Sequence, residues 1–101
     1  MAPNSYVTNY YKRRWDESRG DDFDSWGASW FLFETGDDFW PQRQMEIYDG
    51  GQVLRYDLDH IEDIYGQLGE APLDPLEFEP FRISQEEFER LWSSNDQINA
   101  R

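Results

Sequence analysis

Gln44-Met45-Glu46-Ile47-Tyr48-Asp49-Gly50-Gly51-Gln52-Val53-Leu54-Arg55-Tyr56-Asp57-Leu58 reads as a β-hairpin, and the fold is built outward from it. Gln44–Tyr48 and Val53–Leu58 are rich in apolar and aromatic side chains that suit a half-buried pleated surface. Gly50-Gly51 reaches positive φ without steric cost, as a two-residue primed turn requires. Such a turn sets Tyr48 against Val53, Ile47 against Leu54, Glu46 against Arg55 and Met45 against Tyr56. Apolar side chains then meet apolar ones and the charged pair is of opposite sign, each pair contributing roughly 0.2–1 kcal/mol. A slip by one residue would set Glu46 against Val53 or Leu54.

Before the hairpin, Ser5–Trp15 is rich in Tyr, Val and Thr and reads as a strand. Asp16–Asp24 is charged, carries Gly20 and reads as a loop. Trp26–Glu34 is the most apolar stretch. Its Trp30-Phe31-Leu32-Phe33 core is apolar on both faces, as a central strand covered on both sides would be. Gly36-Asp37-Asp38 makes a turn, and Pro41, which lacks an N–H, tells against regular structure at that point.

After the hairpin, His60–Tyr65 suggests a short helical turn. Gly66, Gly69, Pro72, Pro75 and Pro80 then predict an irregular crossing, pinned by Leu68, Leu73, Leu76 and Phe78. The last helix is signalled by Ser84 as N-cap, Glu87 completing a capping box, and Ile83 with Phe88 as a hydrophobic staple. Phe88, Leu91 and Trp92 form its apolar stripe, and Glu86, Glu87 and Glu89 complement its dipole. Ser93-Ser94-Asn95 ends it, and residues 95–101 read as a frayed tail. Strands followed by a crossing and a helix define an α+β fold: an antiparallel sheet of about four strands with the C-terminal helix on one face. Residues 1–101 read as one domain.

Hydrophobic residues make up only 38% of the chain, but aromatics make up 18%, so the core is aromatic-rich rather than aliphatic-rich. The absence of cysteine excludes disulfides and thiolate metal sites, and fits a reducing cytoplasm. The first residues have neither a basic nor an apolar run, so no signal peptide is expected, and no stretch is apolar enough for a membrane span. The net charge of −13 is uneven. Residues 1–20 hold Lys12, Arg13, Arg14 and Arg19 against Asp16 and Glu17, a net +2, and the rest carries −15. A body this acidic repels nucleic acid and anionic lipid and attracts a basic partner.

The segments Met45–Gly51, Leu68-Gly69-Glu70-Ala71-Pro72 and Glu77–Trp92, the last running Ile83-Ser84-Gln85-Glu86-Glu87-Phe88-Glu89-Arg90-Leu91-Trp92, resemble an uncharacterised family of small acidic bacterial proteins. The resemblance covers roughly residues 43–92 and implies a fold and a bacterial source. It carries over no catalytic residues.

Asp21, Asp22 and Asp24 in one loop, and Asp37 and Asp38 in another, are carboxylate clusters of the kind that bind hard cations. An EF-hand loop starting at Asp22 fails at its fifth position, which is Trp26, so solvated loops are the simpler reading. Asp57, Asp59, His60, Glu62 and Asp63 hold the sole histidine, a candidate general base. No nucleophile, phosphate-loop or dinucleotide motif accompanies it, so no catalytic residue, metal or cofactor is assigned. Lys12-Arg13-Arg14 beside Tyr10, Tyr11 and Trp15 could face nucleic acid, but pairing with the protein's own carboxylates or a cation–π contact is the favoured role. Five Trp residues cannot all be buried in so small a core. Trp26 and Trp40, beside the acidic loops, are therefore the candidate anchors. With Asp21, Asp22, Asp24, Asp37 and Asp38 they compose an expected binding surface for a basic protein partner. The alternatives are a nucleic-acid mimic and a small-molecule binder or enzyme with an aromatic pocket, raised by a cavity lined by Trp30, Tyr56 or His60.

Replacing the expected N-cap, Ser84→Ala, should cost about 1 kcal/mol. Thermal unfolding of the variant beside wild type reads that loss as a lower Tm.

Overall fold

The computed structural model describes residues 8–94, so Ser5–Val7 of the first expected strand and the expected tail at 95–101 lie outside the described residues. Strands β1 (Asn9–Trp15), β2 (Ser29–Thr35), β3 (Pro41–Tyr48) and β4 (Val53–Asp57) form one antiparallel sheet in the order β1-β2-β3-β4. The short strands β5 (Glu62–Asp63) and β6 (Gly66–Gln67) pair separately. Helix α1 (Pro75–Phe78) and helix α2 (Gln85–Ser94) follow. The α+β class with a four-stranded antiparallel sheet and a C-terminal helix is the one the residue pattern implies.

The apolar run in β2 dictates the layering. Leu32 faces one side with Tyr10, Met45 and Val53, and there α2 lays Phe88, with Leu91 and Trp92 beside it. The Arg43 guanidinium lies 4.9 Å from the Phe88 ring and 5.0 Å from Trp92, and its charge is answered by Glu34 and Glu89. Phe31 and Phe33 face the other side with Tyr11, Gln44, Glu46, Tyr48, Leu54 and Tyr56. That face is covered by pieces: the Phe23–Trp26 segment, Tyr65 and Leu68, and α1 through Phe78. The chain crosses between faces along the edge of β1, where the Ile83 amide donates to the Tyr10 carbonyl.

The hairpin forms where expected, but its register is shifted by one. Ile47 pairs with Val53, Glu46 with Leu54, Met45 with Arg55 and Gln44 with Tyr56. The loop is Asp49-Gly50-Gly51 rather than Gly50-Gly51: the Gly51 amide donates to the Tyr48 carbonyl and the Tyr48 amide to the Gln52 carbonyl, both at 2.9 Å. Gly51 alone takes positive φ, at 100°, which makes a type I turn followed by a left-handed bulge residue. Neighbouring chain secures this choice. The Asp49 amide donates to the Ala28 carbonyl and the Gly50 amide to the Trp26 carbonyl.

Other local expectations also change. Pro41 opens β3 rather than interrupting it, since a first strand residue needs no N–H in the ladder, and a register irregularity at Glu34/Thr35 accommodates it. β2 begins at Ser29, because Asp24–Trp26 forms a single 3₁₀ turn. Residues 60–65 are not helical. They lead into the β5–β6 hairpin, extended by a bond from the Leu68 amide to the Ile61 carbonyl. The proline-rich crossing holds α1, capped by Asp74, and Leu76 does not pin it: this side chain is 87% exposed. At α2, Ser84 Oγ accepts the Glu87 amide at 3.1 Å, the expected cap.

Gly51→Ala places a Cβ in the left-handed region, a cost of roughly 1–2 kcal/mol. Denaturant unfolding should show that loss. In wild type, Hα–Hα Overhauser contacts should join Met45 to Arg55 and Ile47 to Val53.

Candidate functional site

The sheet face bearing Phe31 and Phe33 is only partly covered, because α1 is short. Asp74 Oδ1 accepts the Leu76 amide at 2.9 Å and the Glu77 amide at 3.4 Å, and Pro75, with φ preset for a helix, starts the turn. The helix sets Phe78 edge-on to Tyr11 and Phe33, with ring centroids at 5.6 and 5.9 Å. Phe31 is left half-buried and Trp15 is 50% exposed. A hollow of about 240 Å3 lies among Arg13, Trp15, Phe31, Phe33 and Phe78. A second, of about 470 Å3, shares Phe31, Phe33 and Phe78 and continues to Pro41, Gly69 and Pro72. Glu70, Asp74 and Glu77 stand on its rim and are exposed. The Arg13 guanidinium stacks 4.8 Å from Phe81 and 5.1 Å from Phe78 and pairs with Glu77.

Beside this trench the same face buries a polar row. Glu46, opposite Phe31 in the register, is 6% exposed. Its carboxylate accepts from the Tyr48 hydroxyl and from Gln44 Nε2 at 2.8 Å. Gln44 in turn donates to the Gln67 carbonyl and accepts the Gly69 amide, which ties the crossing to the sheet. Burial holds the Glu46 carboxyl above the ordinary glutamate range, against the pull of these hydrogen bonds and of Arg19. The Tyr48 hydroxyl is likewise raised, by burial and then by Glu46.

The sole histidine does stand in a spatial cluster. His60 stacks on Tyr56 at 5.8 Å, and His60 Nε2 lies 2.9 Å from Asp63 Oδ2. Asp63 Oδ1 also accepts from the Tyr56 hydroxyl and from the Tyr65 and Gly66 amides. Asp57 Oδ1 accepts the Asp59 and His60 amides. These contacts give His60, Asp57 and Asp63 one common effect: they shape the turn into β5 and β6. Asp59 and Glu62 point outward and are exposed.

The residues expected to form a binding surface do not come together. Asp21, Asp22, Asp24 and Trp26 lie in the loop beyond the end of β1, whereas Asp37, Asp38 and Trp40 lie beyond the end of β2. These are opposite ends of the sheet, separated by seven-residue strands, or roughly 20 Å. Trp26 is not an exposed anchor. It is packed against Phe23, Tyr48 and Tyr65, with Arg19 over its ring. Asp21 and Asp24 accept the Phe23 and Gly20 amides and brace their own loop. The Phe23 amide and then Arg19 hold the Asp21 carboxyl below the usual range, and Ser18 and then the Gly20 amide do the same at Asp24. Trp40 is 45% exposed, as expected, and follows Phe39, a bulky residue held at a φ of 66°. Trp15, the last residue of β1, and Trp30, the second of β2, are the other exposed indoles.

Among the described residues, no group of His, Asp and Glu side chains is arranged to hold a metal ion, and no helix is long and apolar enough to cross a membrane. Compared with family models, curated proteins and solved structures, the chain matches none.

Glu46→Gln tests the buried row. A carboxyl raised by folding stabilises the native state below its unfolded pKa and loses that contribution as pH rises through the folded pKa. The variant's Tm relative to wild type should therefore be higher at pH 7 than at pH 4, measured by calorimetry at both.

Proposed function

We propose that this chain is a non-enzymatic binding domain that engages a basic protein partner, in the manner of an immunity protein or a small regulatory subunit. The observation that carries the reading is where the cations go. Lys12 pairs with Glu87, Arg13 with Glu77, and Arg14 with Asp16 and Asp49. Arg19 pairs with Asp21, Arg43 with Glu34 and Glu89, and Arg82 with Glu79. Arg55 donates to the Trp92 carbonyl. The basic run Lys12-Arg13-Arg14 is thus engaged internally, also through cation–π contacts to Trp30, Trp15 and Phe78.

What faces solvent is an acidic surplus, with Arg90, among the described residues, the exposed cation outside these pairs. Among the described residues, Asp22, Asp37, Asp38, Asp59, Glu62, Glu70 and Glu86 are exposed and carry no lysine or arginine. Such a surface steers a positively charged partner at long range and disfavours nucleic acid or anionic lipid. The resemblance of residues 43–92 to small acidic bacterial proteins and the lack of cysteine support a bacterial cytoplasmic setting. A nucleic-acid mimic would need its carboxylates in a long regular row, and the acidic loops at opposite ends of the sheet favour a protein partner with its own apolar contacts.

Immobilised chain should retain a basic protein from native lysate at low salt and release most of it at high salt. Retention that is abolished by competing duplex DNA selects the mimic instead. Retention of nothing basic at low salt overturns the reading.

A further inference from the structure

We infer that the trench between α1 and β2 is the docking site on this acidic domain, and that it takes an extended segment of the basic partner. A bulky apolar side chain of that segment sits on Phe31 and Phe33, while flanking Lys or Arg side chains reach Glu70 and Asp74. The inference rests on the binding-domain reading above and names the surface and ligand chemistry within it.

The trench has the right lining. Its deeper part is ringed by Trp15, Phe31, Phe33 and Phe78, and the one polar side chain there, Arg13, is already occupied by Glu77 and by the Phe78 and Phe81 rings. A polar group pressed onto this floor would lose water and gain no partner, so the anchor must be apolar. Aromatic walls with a few polar groups at the margin are the usual make-up of a recognition pocket.

The trench also has the right shape. The two hollows share Phe31, Phe33 and Phe78, so they are one feature. It runs from Trp15, the last residue of β1, to Pro41, the first of β3, which stand at opposite ends of the sheet. An elongated floor of roughly 20 Å accepts about six residues of extended chain at ~3.3 Å each.

Charge selects the occupant. The rim carries Glu70 and Asp74 beyond the Arg13–Glu77 pair, on a chain of net charge −13. A second copy of this chain would bring the same acidic rim to the same place, and like charges at close range are repelled. A segment with Lys or Arg on either side of an aromatic or large aliphatic residue satisfies both floor and rim. Aromatic anchors in desolvated pockets also dominate binding energy at protein interfaces.

The test is a titration of the 15N-labelled chain with three synthetic peptides, Lys-Arg-Trp-Arg-Lys, Lys-Arg-Gly-Arg-Lys and Glu-Glu-Trp-Glu-Glu. The first should move the Trp15 indole N–H and the Phe31, Phe33 and Phe78 amides, and bind at least about tenfold more tightly than the other two. Trp15→Ala, at a half-exposed position, should weaken it by a similar factor. The double variant Glu70→Gln, Asp74→Asn, which keeps a capping side chain, should weaken it and flatten its salt dependence. Equal binding of the glycine peptide means charge alone, and equal binding of the acidic peptide means an apolar pocket without charge selection. Either result overturns the inference, as does binding indifferent to Trp15→Ala or no trench response to the first peptide. Trench resonances that shift with protein concentration alone would assign the surface to a second copy and overturn it too. If the lysate capture succeeds while the peptide arm fails, only the trench assignment falls. If the capture fails as well, the binding-domain reading falls with it.

Discussion

β2 turns Leu32 toward one face of the sheet and Phe31 and Phe33 toward the other, and the described chain offers one helix of useful length to cover them. Water must be kept from both sides at once. The longer helix, α2, takes the Leu32 face, where Phe88 completes a continuous cluster with Tyr10, Met45 and Val53. The opposite face falls to short, irregular segments. Large rings suit that task, because a single Phe or Trp covers what several aliphatic residues would. Phe78 on a single-turn helix meets both Tyr11 and Phe33, and Trp26 in a 3₁₀ turn meets Tyr48. The aromatic excess in composition and the uncovered trench therefore share a cause: both follow from roofing one side of the sheet with pieces.

Piecemeal covering also explains the polar groups inside. A crossing segment without a ladder of its own leaves amides and carbonyls unsatisfied, and these must find partners where they are buried. Gln44 serves Gln67 and Gly69, and Asp63 serves Tyr65 and Gly66. Glu46 is held by Gln44 and Tyr48 and so anchors the first of these groups. Such networks fix one arrangement of a loop that apolar contact alone would leave free to slide.

Local signals were legible in the residues, and signals that depend on distant partners were not. Ser84 with Glu87 and Phe88 marked α2 because capping acts within one turn. The hairpin was legible for the same reason, but its register was not. Val53, Leu54, Arg55 and Tyr56 are all buried, and a strand buried on both faces looks equally well matched after a slip of one residue. Bonds from Asp49 and Gly50 to Ala28 and Trp26 decide the matter, and they come from a segment more than twenty residues away in sequence. Asp74-Pro75, a capping residue before a proline, carries a helix-start signal, but the surrounding breakers made the stretch read as an irregular crossing. Of the candidate surface, Trp40 and the acidity of its loop were readable. That Trp26 turns inward, and that the two acidic loops stand at opposite ends, follow from topology.

The internal ion pairs act as a filter on company. A polyanion that drew on Arg14 or Arg43 would pull it from Asp49, or from Glu34 and Glu89, each departure stranding a carboxylate beside the newcomer. A polycation meets no such toll, since it can add to exposed acids that have no prior commitment. Discrimination is a difference between two affinities, and prior pairing of this kind acts on the side of refusal. The molecule commits most of its few positive charges to its own carboxylates, and Arg90 stands exposed outside those pairs.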